Sequence, residues 1–153
     1  MKNIDLKNDE ATKKLGEIIS KNLKDINKSS IEIHLEGDLG AGKTFLTRSI
    51  ISNSGWEGLV KSPTYTLCEE YDLGDLIFLH IDLYRTDELE DIHIFNLDRK
   101  THAKKIIIVE WPQKLVLKRN FDLKISFKHF NKGRKVSIND EDGLFTDLIK
   151  YYE

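Results

Sequence analysis

Residues 37–44 read Gly37-Asp38-Leu39-Gly40-Ala41-Gly42-Lys43-Thr44, the G-x-x-x-x-G-K-[ST] spacing that cradles nucleotide phosphates. The glycines at 37, 40 and 42 let the backbone turn with its N–H groups inward. There, with the N-terminus of the following helix, they attract anionic oxygens. Lys43 supplies a cation for the outer phosphates, and the Thr44 hydroxyl is placed to ligate Mg²⁺. A plain glycine turn joining a strand to a helix would need neither the lysine nor the threonine. Hydrolysis at such a loop also needs an acid at the end of a neighbouring strand, to hold the metal or its waters and to orient the attacking water. Asp82 ends the apolar run Ile77–Ile81, and Glu110 ends Ile106–Val109. Either could be only a strand terminator, but a phosphate loop in the same chain gives both a task. Alternation puts His80 and Asp82 on one strand face. That pair could begin a zinc site, but Cys68 stands alone and no spaced Cys/His set completes one.

The elements that must carry these groups follow from periodicity. Asn8-Asp9-Glu10 is a cap and acidic first turn for a helix with the stripe Ala11, Leu15, Ile18, Ile19 and Leu23, ending near Asp25. Ile31–Glu36 reads as a strand into the phosphate loop, and Lys43–Ser54 as the helix leaving it, with Phe45, Leu46, Ser49, Ile50 and Asn53 as its stripe. Pro63 keeps Ser62–Thr66 out of a helix. Thr66–Tyr71 and Leu76–Leu83 suit antiparallel strands around Asp72–Asp75. Glu88–Leu97 reads as a polar helix, and Ile106–Val109 as a central parallel strand. Phe121–His129 and Arg134–Asn139 form a hairpin around Asn131-Lys132-Gly133, with Gly133 in the turn. Leu144–Tyr152 is a closing helix. Trp111, at a strand end, is expected in the core.

With 153 residues, 24 basic against 26 acidic side chains and 39% hydrophobic residues, the chain reads as one soluble domain over 1–153, and its bulk charge does not suggest nucleic-acid binding. No spanning segment or signal peptide is visible, and a lone cysteine fits a reducing cytoplasm. Charge is uneven: Glu69–Asp98 holds ten acids and one base, Arg85, whereas Lys114–Lys135 holds eight bases and one acid, Asp122. These are solvated faces or a docking surface for a partner or RNA.

Four blocks together resemble the TsaE family, formerly YjeE: residues 37–44, Val60-Lys61-Ser62-Pro63-Thr64-Tyr65-Thr66-Leu67, His80-x-Asp82-Leu83-Tyr84-Arg85 and Val109-Glu110-Trp111-Pro112-Gln113. They occur in family order and the resemblance covers nearly the whole chain. It implies an α/β, P-loop NTPase-like three-layer sandwich with a mixed central sheet and a C-terminal antiparallel hairpin. It also implies an ATPase that works with TsaD and TsaB homologues to install threonylcarbamoyl on the adenosine beside the anticodon of tRNAs reading codons that begin with A. tRNA would be reached through that complex, and no membrane is involved.

By the resemblance, residues 37–45 (Gly37 to Phe45) bind ATP, with Lys43 on the β and γ phosphates. Thr44, Asp82 and Glu110 hold Mg²⁺, Asp82 in a Walker-B-like role. Ser62, Thr64 and Thr66 form a switch, and Asn8 and Gly133-Arg134 border the nucleotide. The chain departs from the family at Leu89–Asn96, where relatives carry a Gly-containing helical connection. No motif supplies a clear arginine finger, with Arg48 and Arg85 the candidates, so turnover alone is expected to be slow. Two rivals stand beside this reading. One is a nucleotide-gated binding module that does not hydrolyse. The other is a small-molecule kinase, which would need an arginine-bearing lid that the sequence does not show.

Overall fold

The computed structural model describes residues 1–63, 67–84, 96–115 and 117–153. A seven-stranded mixed sheet runs in the order β1-β7-β6-β2-β5-β4-β3. Its strands are β1 (Lys2–Leu6), β2 (Ser30–Gly37), β3 (Cys68–Asp72), β4 (Leu76–Asp82), β5 (Lys104–Glu110), β6 (Leu123–Phe130) and β7 (Gly133–Asn139). β6, β2, β5 and β4 are mutually parallel, and β1, β7 and β3 add antiparallel edges. The expected β3–β4 hairpin, the central β5 and the β6–β7 hairpin are all present.

β5 is apolar at consecutive positions because both of its faces are covered. Ile106 and Ile108 join β2 residues Ile31, Ile33 and Leu35 in a large core, which α1 (Asp9–Asp25), α2 (Lys43–Asn53) and α3 (Thr146–Tyr151) close on the helix side. Ile107 and Val109 join Ile77, Leu79 and Ile81 of β4 in a smaller core on the far face, under Leu97 and Leu115. The polar helix expected at 88–97 falls, up to residue 95, outside the described residues. Asn96 and Leu97 are not helical.

α1 starts behind its Asn8 cap, whose side chain accepts from the Ala11 N–H at 2.9 Å. Its far end is closed by a residue from the sheet, since Lys104 Nζ donates to the Leu23 and Ile26 carbonyls at 2.8 and 2.6 Å. Those carbonyls have no intrahelical donor, and a cation there also suits the helix dipole.

One strand lies outside the elements that periodicity marks, and two expectations need correction. The strand is β1, with Ile4 and Leu6 as its buried positions, paired with β7. Gly133 is not a turn residue: the loop is Asn131-Lys132, Asn131 takes the left-handed φ of 53°, and Gly133 opposes Phe130 in the ladder. Glycine is required there because a Cβ would run into the Leu6 carbonyl oxygen of β1. α3 begins at Thr146 rather than Leu144 because the Asp140 carboxylate takes the N–H groups of Leu144 and Phe145, each at 3.0 Å.

Candidate active site

The C-terminal ends of three adjacent parallel strands meet at one point of the sheet. β2 runs into the glycine loop, while β4 and β5 end on Asp82 and Glu110, which face one another in register. This is where open α/β sheets bind ligands. A cavity of about 230 Å³ lies there, lined by Leu39, Gly40, Gly42, Lys43, Thr44, Phe45, Asp82, Glu110, Trp111 and Arg134.

The charged groups inside it are tightly engaged. Thr44 Oγ1 donates to Glu110, 2.9 Å from Oε1 and 3.2 Å from Oε2. His80 Nε2 lies 2.5 Å from Glu110 Oε2. Lys43 Nζ donates to the Gly37 and Asp38 carbonyls at 2.5 and 2.9 Å and sits 4.5 Å from the centre of the Trp111 ring. Burial pushes the Lys43 ammonium below its ordinary pKa, an effect that Glu110, Asp82 and Asp38 oppose. Asp82 is shifted upward, first by burial and then by the neighbouring Glu110 charge, although its carboxylate accepts the Tyr84 N–H at 3.0 Å. A partly desolvated lysine beside two adjacent carboxylates describes a site suited to a ligand that brings both signs.

The donor set fits a small hard cation. One hydroxyl and two carboxylates offer only oxygen, and among the described residues no group of three or more His, Cys, Asp and Glu is arranged to hold a metal by itself. Mg²⁺ is typically bound by one or two carboxylates, with phosphates and water completing the shell. The zinc alternative at His80 and Asp82 has no such ligand group among the described residues, and the His80 Nε2 atom is already taken by Glu110.

The family profile described as "Threonylcarbamoyl adenosine biosynthesis protein TsaE" matches residues 6–136. The chain belongs to the TsaE family. It is 33% identical over 141 residues to the tRNA threonylcarbamoyladenosine biosynthesis protein TsaE of Haemophilus influenzae, covering 92% of this chain and 87% of the relative. It is 45% identical over 78 residues to the protein of the same name from Bacillus subtilis, which covers 50% of this chain and 48% of that relative. The crystal structure of YdiB from Bacillus subtilis superposes with a TM-score of 0.70 at 25% identity, covering 99% of this chain and 96% of that one. The fold is therefore the P-loop NTPase-like α/β fold of the TsaE proteins, and the family's role is in threonylcarbamoyladenosine biosynthesis.

Within this TsaE-family chain the residues expected at the nucleotide do not all reach the cavity. Gly37 and Asp38 contribute carbonyls to Lys43, and Ala41 is buried beneath the loop. Asn8 spends its side chain on capping α1 and Gly133 admits β1, so neither lines the cavity. Arg134 does. Its guanidinium donates to Asp9 and Thr12 at 3.2 and 3.1 Å and lies 5.7 Å from the Phe45 ring centre. Gly42, at φ 115°, leaves room for it, because a Cβ there would meet Arg134 Nε. Ser62 is half-buried and outside the cavity lining, while Thr64 and Thr66 lie outside the described residues.

Of the two arginine-finger candidates, Arg48 donates its Nε to the Val60 carbonyl at 3.1 Å and lines a separate groove between α1 and α2. Arg85 lies outside the described residues. Trp111, expected in the core, is only half-buried and forms a cavity wall. Its left-handed φ of 63° turns the chain at the end of β5, a strained conformation for a bulky residue. The Glu110–Trp111–Pro112 sequence flagged the position, but the turn that brings the ring to Lys43 is not legible from residue types.

No helix among the described residues is long and apolar enough to cross a membrane.

Proposed function

We propose that this chain binds ATP with Mg²⁺ in the cavity at the ends of β2, β4 and β5. It hydrolyses ATP slowly alone and faster when engaged by TsaD and TsaB homologues. In that complex it serves the transfer of threonylcarbamoyl to the adenosine beside the anticodon. The observation that carries this reading is the Thr44–Glu110 hydrogen bond, with Lys43 and Asp82 in the same small cavity.

Lys43 exchanges its two carbonyl partners for the β and γ phosphate oxygens, and the loop N–H groups hold the rest of the chain of phosphates. Thr44 and Glu110 would hold Mg²⁺, and Asp82 would stand beside it in the Walker-B-like role, orienting water. Bound Mg²⁺ offsets the charge that builds on the transferring phosphoryl group. Arg134 and Phe45 border the nucleotide from the loop side, and Ser62, Thr64 and Thr66 form the switch that senses the terminal phosphate. Slow turnover alone is supported by Arg48 lying outside the cavity with its Nε on the Val60 carbonyl, so that Arg85 or a partner would supply the arginine finger.

The test is Mg²⁺-dependent ATP hydrolysis by the protein alone and with TsaB–TsaD from the same source, with Lys43→Ala as control. Stimulation that Lys43→Ala abolishes supports the reading. ATP binding with no turnover in either mixture replaces it with a nucleotide-gated binding module. In that case Glu110→Gln, binding ATP without hydrolysing it, supports normal tRNA modification.

A further inference from the structure

We propose that His80 is the positioning residue of the metal-bearing carboxylate, fixing Glu110 so that it faces Thr44. This rests on the Mg²⁺–ATP reading above.

His80 is fully buried in β4, on the same strand face as Asp82. Its Nε2 donates to Glu110 Oε2 at 2.5 Å, while Thr44 makes its shorter contact with the other oxygen, Oε1, at 2.9 Å. The carboxylate, itself only 2% exposed, is thus held from the sheet side by an imidazole and from the helix side by a hydroxyl. With its proton on Nε2, the ring leaves Nδ1 as a lone pair, and Nδ1 has no hydrogen-bond partner among the described residues.

That orphan atom decides between packing and positioning. β4 runs Leu76-Ile77-Phe78-Leu79-His80-Ile81, and a leucine at position 80 would continue the buried run without stranding a nitrogen. The imidazole is therefore explained by what Nε2 holds. Metal ligands that are oriented by an outer hydrogen-bond partner lose metal affinity when that partner is removed. Here the usual order is reversed: the carboxylate faces the metal and the histidine stands behind it.

The experiment measures binding of a fluorescent ADP derivative to the full chain, in EDTA and across a Mg²⁺ titration. It compares wild type, His80→Leu, which keeps bulk and removes the donor, and His80→Gln, which returns an N–H near the Nε2 position. For His80→Leu the Mg²⁺ half-saturation is expected to rise about tenfold or more while affinity in EDTA stays within about twofold, and His80→Gln is expected to restore most of the loss. In a Glu110→Gln background His80→Leu should add nothing further. An unchanged Mg²⁺ half-saturation in His80→Leu overturns the proposal, as does a His80→Gln variant as impaired as His80→Leu. If His80→Leu does not fold, the decision passes to His80→Asn, whose shorter amide falls short of Glu110: behaviour equal to that of His80→Gln overturns the proposal, and loss confined to Asn supports it. A wild-type protein with no Mg²⁺ dependence at all removes the Mg²⁺–ATP reading and this proposal with it, whereas failure of the His80 variants alone leaves that reading standing.

Discussion

Asp82 and Glu110 are neighbours in register, yet among the described residues their charges are met differently: Glu110 accepts from the side chains of Thr44 and His80, Asp82 from the Tyr84 backbone N–H. The Asp82 carboxyl therefore sits above its ordinary 3.8, through burial first and Glu110 second. An acid whose pKa is raised by folding binds its proton more tightly in the folded state, so its contribution to stability falls as pH rises from 3.8 upward and is fully unfavourable beyond the raised value. Replacing Asp82 with Asn should then stabilise the ligand-free protein at pH 7, seen as a higher Tm, and the gain should fade as pH drops toward 3.8. The same variant should lose Mg²⁺-dependent hydrolysis. A lower Tm at pH 7 would show that Asp82 serves the fold rather than the ligand. Residue types and strand ends were enough to single out Lys43, Thr44, Asp82 and Glu110 from the sequence. They could not reveal that His80 reaches Glu110, because that contact depends on the β4–β5 register, nor that Trp111 turns toward Lys43, because that depends on one backbone angle.

Among the elements, those with a sustained period were legible and those without were not. α1 carries its stripe over 17 residues and its cap in the preceding position, and β5 is a continuous apolar run. β1 offers only Ile4 and Leu6 between polar residues, too short an alternation to stand out, and it exists because β7 gives it a ladder. The junction of those two strands is testable at Gly133. A methyl there presses on the Leu6 carbonyl, so Gly133→Ala should cost about 1–3 kcal/mol, in the range of overpacked sites. Hydrogen exchange should quicken at residues 2–6 more than in β2 or β5. Uniform loss of protection across the sheet would contradict a local clash. Just beyond the Leu6–Lys7 backbone that Gly133 meets, Asn8→Ala should cost about 1 kcal/mol by freeing the Ala11 N–H at the start of α1, read from thermal or urea unfolding.

For the molecule as a whole, the sheet separates two cores and gathers the phosphate loop, Asp82 and Glu110 at one end of its parallel strands. A ligand that seats there binds the folded state alone. ATP with Mg²⁺ at a hundredfold excess over its Kd should therefore add about 2.7 kcal/mol to stability, and Lys43→Ala should abolish the concentration-dependent rise in Tm. The pairing order also governs events before any ligand arrives. β1 is made long before its partner at residues 133–139, β2 waits for β5 and β6 on its two sides, and the C-terminal carbonyls of α1 wait for Lys104. Such long-range pairings slow folding, because each chain loop must close before its contacts form. On the ribosome, a nascent chain that has not yet released its final hairpin holds a phosphate loop with no Arg134 beside it and a first strand with no edge to join. The timing of maturation is then set by the emergence of residues 133–139, not by the earlier emergence of the glycines.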